Sequence, residues 1–235
     1  MTKNTLACPT CNKSKKLNLI KVMGINKEIY VNDCKCLSRT ENEANLDRKV
    51  KENKAKCNVP YIYSKTFFSN INKNLNTEKC RDYALKFKPL SGEGISLIGN
   101  VGTGKTVLLS CMCHSVIGQG YRAYFTPMNE FLNKIIDVYK IKNNTETETN
   151  IIKGLLNYDF IAFDDLGREK LTEKKIELFH IIIDKLITNK KSIAFSANSI
   201  MIKKLMGIPE LEAPLDRLRG LSKENEIFFT GKSLR

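Results

Sequence analysis

Gly99-Asn100-Val101-Gly102-Thr103-Gly104-Lys105-Thr106 fits the phosphate-binding loop pattern G-x-x-x-x-G-K-[ST] at every position. An apolar run, Ile95-Ser96-Leu97-Ile98, precedes it and a helix-like run from Val107 to Val116 follows. The stretch therefore predicts a strand, a phosphate loop and a helix in that order. Its glycines let the backbone curl until the N–H groups between Gly99 and Lys105 point inward at a β-phosphate, with Asn100, Val101 and Thr103 filling the curve. Lys105 is expected to reach the β- and γ-phosphates, and Thr106 to offer its hydroxyl to Mg²⁺. The fold this implies is an α/β nucleotide-hydrolysing domain.

A phosphate loop alone does not separate kinases, GTPases and mechanical ATPases. Tyr158-Asp159-Phe160-Ile161-Ala162-Phe163-Asp164-Asp165 reads as a buried parallel strand ending in adjacent carboxylates. Asp164, first after the apolar run, is expected to hold Mg²⁺ through water. Asp165 is expected to face the γ-phosphate and polarise the attacking water. A GTPase would carry N-K-x-D after a strand; Asn189-Lys190-Lys191-Ser192 lacks the aspartate and precedes a strand, which disfavours GTP and leaves ATP.

Strand and helix patterns alternate beyond the loop. Tyr121 to Phe125 predicts a strand, Met128 to Lys140 a helix with Phe131, Ile135, Ile136 and Tyr139 on one face, and Lys142 to Asn150 a polar loop. Thr172 can cap a helix carrying Ile176, Phe179, Ile182, Ile183, Leu186 and Ile187. Ser192 to Ser196 is the next strand, closed by Ala197-Asn198, where Asn198 can either orient the lytic water or serve as a turn residue. A helix beginning near Pro209 carries Leu215-Asp216-Arg217-Leu218-Arg219, and Glu226 to Thr230 is a last strand. This alternation implies a parallel sheet with right-handed crossovers and a nucleotide at the carboxyl ends of its strands. Arg217, far from Lys105 along the chain, suits a finger that reaches a neighbouring subunit's site.

The first part of the chain has a different character. Cys8-Pro9-Thr10-Cys11 and Cys34-Lys35-Cys36 form two thiolate pairs able to grip Zn²⁺, with Cys57 as a substitute ligand for the tighter second pair. Between them Leu17 to Ile20 and Ile29-Tyr30-Val31 read as short strands around a turn at Met23-Gly24-Ile25-Asn26. Residues 39–56 are almost entirely polar, with Leu46 and Val50 as a thin apolar stripe, and predict an exposed linker helix. Asn58-Val59-Pro60 breaks it, and the aromatic segment Tyr61 to Phe68 is expected to pack on the core.

Charge follows the same division. Of a net +14 over 235 residues, residues 1–92 carry 19 Lys/Arg against 8 Asp/Glu, a net +11, and residues 93–235 carry 20 against 17, a net +3. A basic surface of this kind suits nucleic acid or an acidic protein partner, the alternative being a solvated lysine-rich surface. No apolar run approaches a membrane span and the polar start Met1-Thr2-Lys3-Asn4 is not a signal peptide, so a cytoplasmic protein with reduced cysteines and no membrane partner is expected.

On these residues the chain resembles the AAA+ replicative-helicase loaders of the DnaC/DnaI type and the related IstB-type transposition helper ATPases. The resemblance rests on Gly99 to Thr106, Phe163-Asp164-Asp165-Leu166-Gly167, Ser196-Ala197-Asn198, Leu215-Asp216-Arg217-Leu218 and Ser233-Leu234-Arg235. It spans residues 58–235, while Cys8, Cys11, Cys34 and Cys36 look like the family's zinc-binding amino-terminal arm. Ser196 stands where the family often has threonine. The resemblance implies an AAA+ P-loop NTPase core with a parallel sheet over residues 58–235, preceded by a basic zinc-binding arm and linker helix over residues 1–57. It also implies that Asn198 is a first sensor, Arg217 an arginine finger and Arg235 a second sensor beside the nucleotide. ATP would let such a loader bind single-stranded DNA and assemble as a homo-oligomer, the arm would grip a hexameric ring helicase, and hydrolysis would drive release. The alternatives are a transposition helper of the same fold and a non-hydrolysing zinc adaptor shaped by bound ATP.

Overall fold

The structure, a computed structural model, describes residues 15–22, 25–32, 41–139, 147–168 and 171–230. Strands β1 (Lys15–Val22) and β2 (Ile25–Asn32) form an antiparallel hairpin whose register runs from Lys15 opposite Asn32 to Val22 opposite Ile25. The ladder includes Ile25 and Asn26, so these two residues belong to β2 and not to the turn expected of them. Helix α1 (Glu41–Lys56) follows.

Its apolar stripe is not left in solvent. Val50 and Cys57 are buried with the core, Leu46 packs against that core, and Asn53 Nδ2 donates to the carbonyls of Gly120 and Tyr121 at 3.3 and 2.9 Å. The linker helix is therefore docked along one side, a correction to the exposed helix expected. Composition concealed this because two apolar side chains and one amide suffice to seat a helix whose other faces are solvated.

The remaining elements are α2 (Leu75–Leu85), β3 (Ile95–Gly99), α3 (Lys105–Gly118), β4 (Ala123–Pro127), α4 (Met128–Val138), α5 (Glu148–Leu155), β5 (Phe160–Leu166), α6 (Glu173–Thr188), β6 (Ser192–Ala197), α7 (Ser199–Met206), α8 (Pro209–Ser222) and β7 (Glu226–Phe229). The five later strands make a sheet in the order β4-β5-β6-β3-β7, every neighbouring pair parallel. Alternation within strands divides the interior into two layers. Ile95 and Leu97 of β3 and Phe160 and Ala162 of β5 face α2 and α3, whereas Ile98, Ile161 and Phe163 face the side covered by α4, α6, α7 and α8. Burying each large apolar side chain contributes about 1.5–3 kcal/mol, and Phe125, Phe160, Phe163 and Phe195 are among the largest fully enclosed.

Three features bear on the site. Gly99 lies opposite Phe229 in the ladder, where an added Cβ would stand 2.4 Å from the Phe229 carbonyl oxygen, so the loop's first glycine is also required by the sheet. The edge strand β4 is covered by the chain after α1: Phe125 N–H donates to the Cys57 carbonyl at 2.7 Å, and Asn58 Nδ2 donates to the Phe125 carbonyl at 3.1 Å. Helix α5 begins inside the stretch expected to be a polar loop, because the Thr147 hydroxyl accepts from Asn150 N–H at 3.2 Å and caps it.

Candidate nucleotide site

The phosphate loop follows β3 directly and ends at α3. Gly102 and Gly104 adopt φ of +80° and +87°, the left-handed region in which an L side chain is strained. Gly104 is the N-cap of α3, so the unpaired N–H groups and positive end of that helix face the loop's interior. Lys105 is buried, and its Nζ donates to the carbonyls of Gly99 at 2.9 Å and Asn100 at 2.6 Å. Burial pushes its pKa down, while Asp165 and Asp164 push it up. The ammonium is thus anchored to the loop it serves.

Strand β5 brings the carboxylates to this loop. Thr106 Oγ1 donates to Asp164 Oδ2 at 2.9 Å, which unites two residues 58 positions apart into an all-oxygen donor pair of the kind that suits Mg²⁺. Ser196 at the end of β6 binds both acids: its hydroxyl donates to Asp164 Oδ1 at 2.5 Å and accepts from Asp165 N–H at 2.9 Å. Burial raises the Asp164 pKa above the ordinary carboxylate value, opposed by the Ser196 and Thr106 hydrogen bonds. The β5–β6 register shifts between Phe163 and Leu166, and Asp165 has φ of +52°. The bulge separates the two acids in direction, so Asp164 stays buried while Asp165 is half-exposed.

Ser196→Ala should expose how much this hydroxyl does. It leaves Asp165 N–H and one Asp164 oxygen without their partner, at a cost of about 1–3 kcal/mol, or about 2–4 °C in melting midpoint per kcal/mol. Loss of a donor to the carboxylate also raises the Asp164 pKa further, so the acid limb of Mg²⁺-dependent turnover should move to higher pH. A melting curve and a pH–rate profile check both, and an unmoved acid limb would remove Ser196 from the metal side of the site.

A cavity of about 470 Å³ opens over these groups, lined by Gly102 to Val107 of the loop and α3 together with Asp165, Arg168, Asn198 and Tyr63. Asn198 is both a capping and a cavity residue: its Oδ1 accepts from Ile200 N–H at 2.8 Å to start α7, leaving its Nδ2 as the donor end of the amide. Sequence reasoning missed Tyr63 and Arg168. Tyr63 belongs to the aromatic segment expected only to pack, and its carbonyl accepts from His114 Nε2 at 3.1 Å on α3, which fixes the segment against the loop-bearing helix. Arg168 lies three residues beyond Asp165, and no spacing rule distinguishes it from a loop arginine.

Lys105, Thr106, Asp164, Asp165 and Asn198 are thus gathered at one end of the sheet. Arg217 does not line this cavity; it forms an ion pair from α8 to Asp184 on α6. Cys57, the substitute zinc ligand considered from sequence, is buried in the core beside Cys113. Cys8, Cys11, Cys34, Cys36 and Arg235 lie outside the described residues. Among the described residues no group of three or more His, Cys, Asp or Glu side chains could hold a metal, and no helix is long and apolar enough to cross a membrane.

A family model described as IstB-like ATP binding protein matches residues 36–233. The replicative helicase loader DnaC of Escherichia coli (strain K12) is 27% identical over 163 residues, which is 67% of this chain and 62% of that protein. The chain thus spans about 62% of the length of the curated relatives it matches. Among solved structures, the DnaC helicase loader superposes with a TM-score of 0.62 at 22% identity, covering 73% of this chain and all of that one. DnaI gives 0.60 at 16% identity, covering 74% and 96%, and AMPPCP-bound DnaA from Aquifex aeolicus gives 0.60 at 20%, covering 72% and 51%. At these identities the superpositions establish the fold.

Proposed function

Because the chain belongs to the family of IstB-like ATP binding proteins, we propose that it is an ATP-hydrolysing loader of a ring-shaped replicative helicase that assembles with further copies on single-stranded DNA. The observation that carries the ATPase half is the Thr106–Asp164 contact, which joins the phosphate loop to the acidic strand with Asp165 in the same cavity. The matched helicase loaders and the basic amino-terminal charge support the other half.

In this reading the loop N–H groups from Gly99 to Lys105 cradle the phosphates and Lys105 neutralises the β- and γ-phosphates. Thr106 and Asp164 would hold Mg²⁺, whose chemistry when bound would be neutralisation of phosphate charge. Asp165 holds and polarises the attacking water, and Asn198 offers its Nδ2 to that water or to the γ-phosphate. Arg217 acts on a neighbour's nucleotide, and Arg235 serves as second sensor.

Residues 1–57 comprise the arm and the linker helix, which docks through Val50 and Cys57 on the ATPase domain of residues 58–235. Cys8, Cys11, Cys34 and Cys36 hold Zn²⁺, supported by the hairpin register, which sets Lys15 beside Asn32 at the strand ends nearest Cys11 and Cys34 in sequence. Metal analysis should return one zinc per chain, lost when Cys8 and Cys11 become serine; a zinc-free arm that resists proteolysis would remove the metal. Because Val50 and Cys57 belong to the core, the arm should be removed at residue 40. That truncation should bind ATP yet no longer co-elute with the replicative helicase of the same organism. A full chain that hydrolyses ATP but ignores helicase and follows a transposase would establish instead the transposition-helper reading.

A further inference from the structure

Arg168 sits in the cavity wall with its guanidinium against the carboxylate assigned to water activation: Nη1 donates to Asp165 Oδ2 at 2.9 Å. The backbone builds this contact. Asp165 is left-handed at φ +52°, Gly167 is left-handed at φ +87°, and Arg168 N–H returns to the Asp165 carbonyl at 3.3 Å, so the chain doubles back on itself. Gly167 cannot be replaced without rearrangement, since an added Cβ would stand 2.8 Å from Leu205 Cδ1 of α7. The turn is therefore seated on a packed helix.

The pair is nonetheless weak. Both side chains are substantially exposed, 79% for Arg168 and 44% for Asp165, and an exposed ion pair contributes no more than about 1 kcal/mol. A guanidinium has five donors in a planar fork and engages phosphate oxygens through two at once, and a γ-phosphate carries more charge than one carboxylate. Lys105 Nζ is drawn to the loop carbonyls, whereas the Arg168 guanidinium lines the same cavity and is bonded directly to Asp165.

We propose that Arg168 is a nucleotide-state latch on Asp165: it holds the carboxylate until a γ-phosphate is present, then transfers its guanidinium to that phosphate and releases Asp165 to position water. The proposal rests on the ATPase reading above. Arg168 is thereby a positioning residue for Asp165 and a reader of triphosphate over diphosphate.

A double-mutant cycle read by equilibrium binding of fluorescent ATP and ADP tests this, with melting midpoints showing each variant folded. Asp165→Asn should tighten ATP by up to about fivefold, the latch's competition being worth no more than about 1 kcal/mol, and leave ADP unchanged. Arg168→Ala should weaken ATP about five- to tenfold with ADP unchanged, and Arg168→Lys should recover part of the preference. In the double variant the Asp165→Asn gain should disappear. Equal ATP-to-ADP ratios in wild type and Arg168→Ala, or an Asp165→Asn effect that ignores residue 168, would overturn the latch. Failure of the ATPase reading looks different: wild type itself would bind neither nucleotide in a Lys105-dependent way.

Discussion

Lys105→Ala should lose tight ATP binding, whereas Asp165→Asn should keep binding and lose turnover. The first removes a buried cation from the phosphates, and a charged hydrogen bond in such a place is worth about 1.5–3 kcal/mol, or roughly ten- to 150-fold in affinity. The second keeps the shape of the side chain but not its basicity, and a positioned general base contributes about 10²–10⁴ in rate. Separation of the two phenotypes matters more than either size. Lys105 is held by Gly99 and Asn100 within the loop, and Asp165 projects from a bulge in another strand, so neither substitution disturbs the other's scaffold. Titration with fluorescent ATP and a steady-state phosphate-release assay decide the matter. Normal turnover in Asp165→Asn would return water activation to another group, and a wild-type chain that binds ATP without turnover would favour the non-hydrolysing adaptor.

The fold was legible where the sequence carries a period and a cap together. The stretch from Ile95 to Val116 spelled out β3, loop and α3, and Thr172 marked the start of α6, where its hydroxyl accepts from Lys175 N–H. The acidic strand was legible because a buried parallel strand is apolar on both faces until its end. Less visible were α2, whose apolar residues are scattered along a polar sequence, and α5 and α7, which at eight residues each are too short to set a period. In the site, type and spacing singled out Lys105, Thr106, Asp164 and Asp165, which the fold brings together, because phosphate and metal chemistry asks for those residue types at local spacings. Ser196 looked like a departure from a threonine pattern, yet its hydroxyl bridges both acids; only the sheet order, which sets β6 against β5, reveals that. Tyr63 and Arg168 stayed hidden for the same reason, since they reach the cavity through the packing of the segment around Tyr63 on α3 and through a left-handed turn.

Arg217→Ala should leave ATP binding intact and reduce turnover by about 10³-fold, the lower end of what an arginine finger contributes. The residue does not line the chain's own cavity and is half-exposed on α8, paired with Asp184, so the proposed finger would have to act across a subunit boundary. The Asp184 pair adds a control. An exposed pair is worth at most about 1 kcal/mol, so Asp184→Ala should leave turnover within a few-fold of wild type if Arg217 works on a neighbour. It should reproduce the Arg217→Ala loss if the arginine merely ties α8 to α6. Mixing decides between the two. In an assembly of Arg217→Ala and Lys105→Ala chains, some junctions pair the intact phosphate loop of the first with the intact arginine of the second, and those junctions should regain activity that neither variant has alone. A mixture that stays inactive, under helicase and DNA conditions where wild-type chains assemble and hydrolyse ATP, would make Arg217 a structural or DNA-facing arginine.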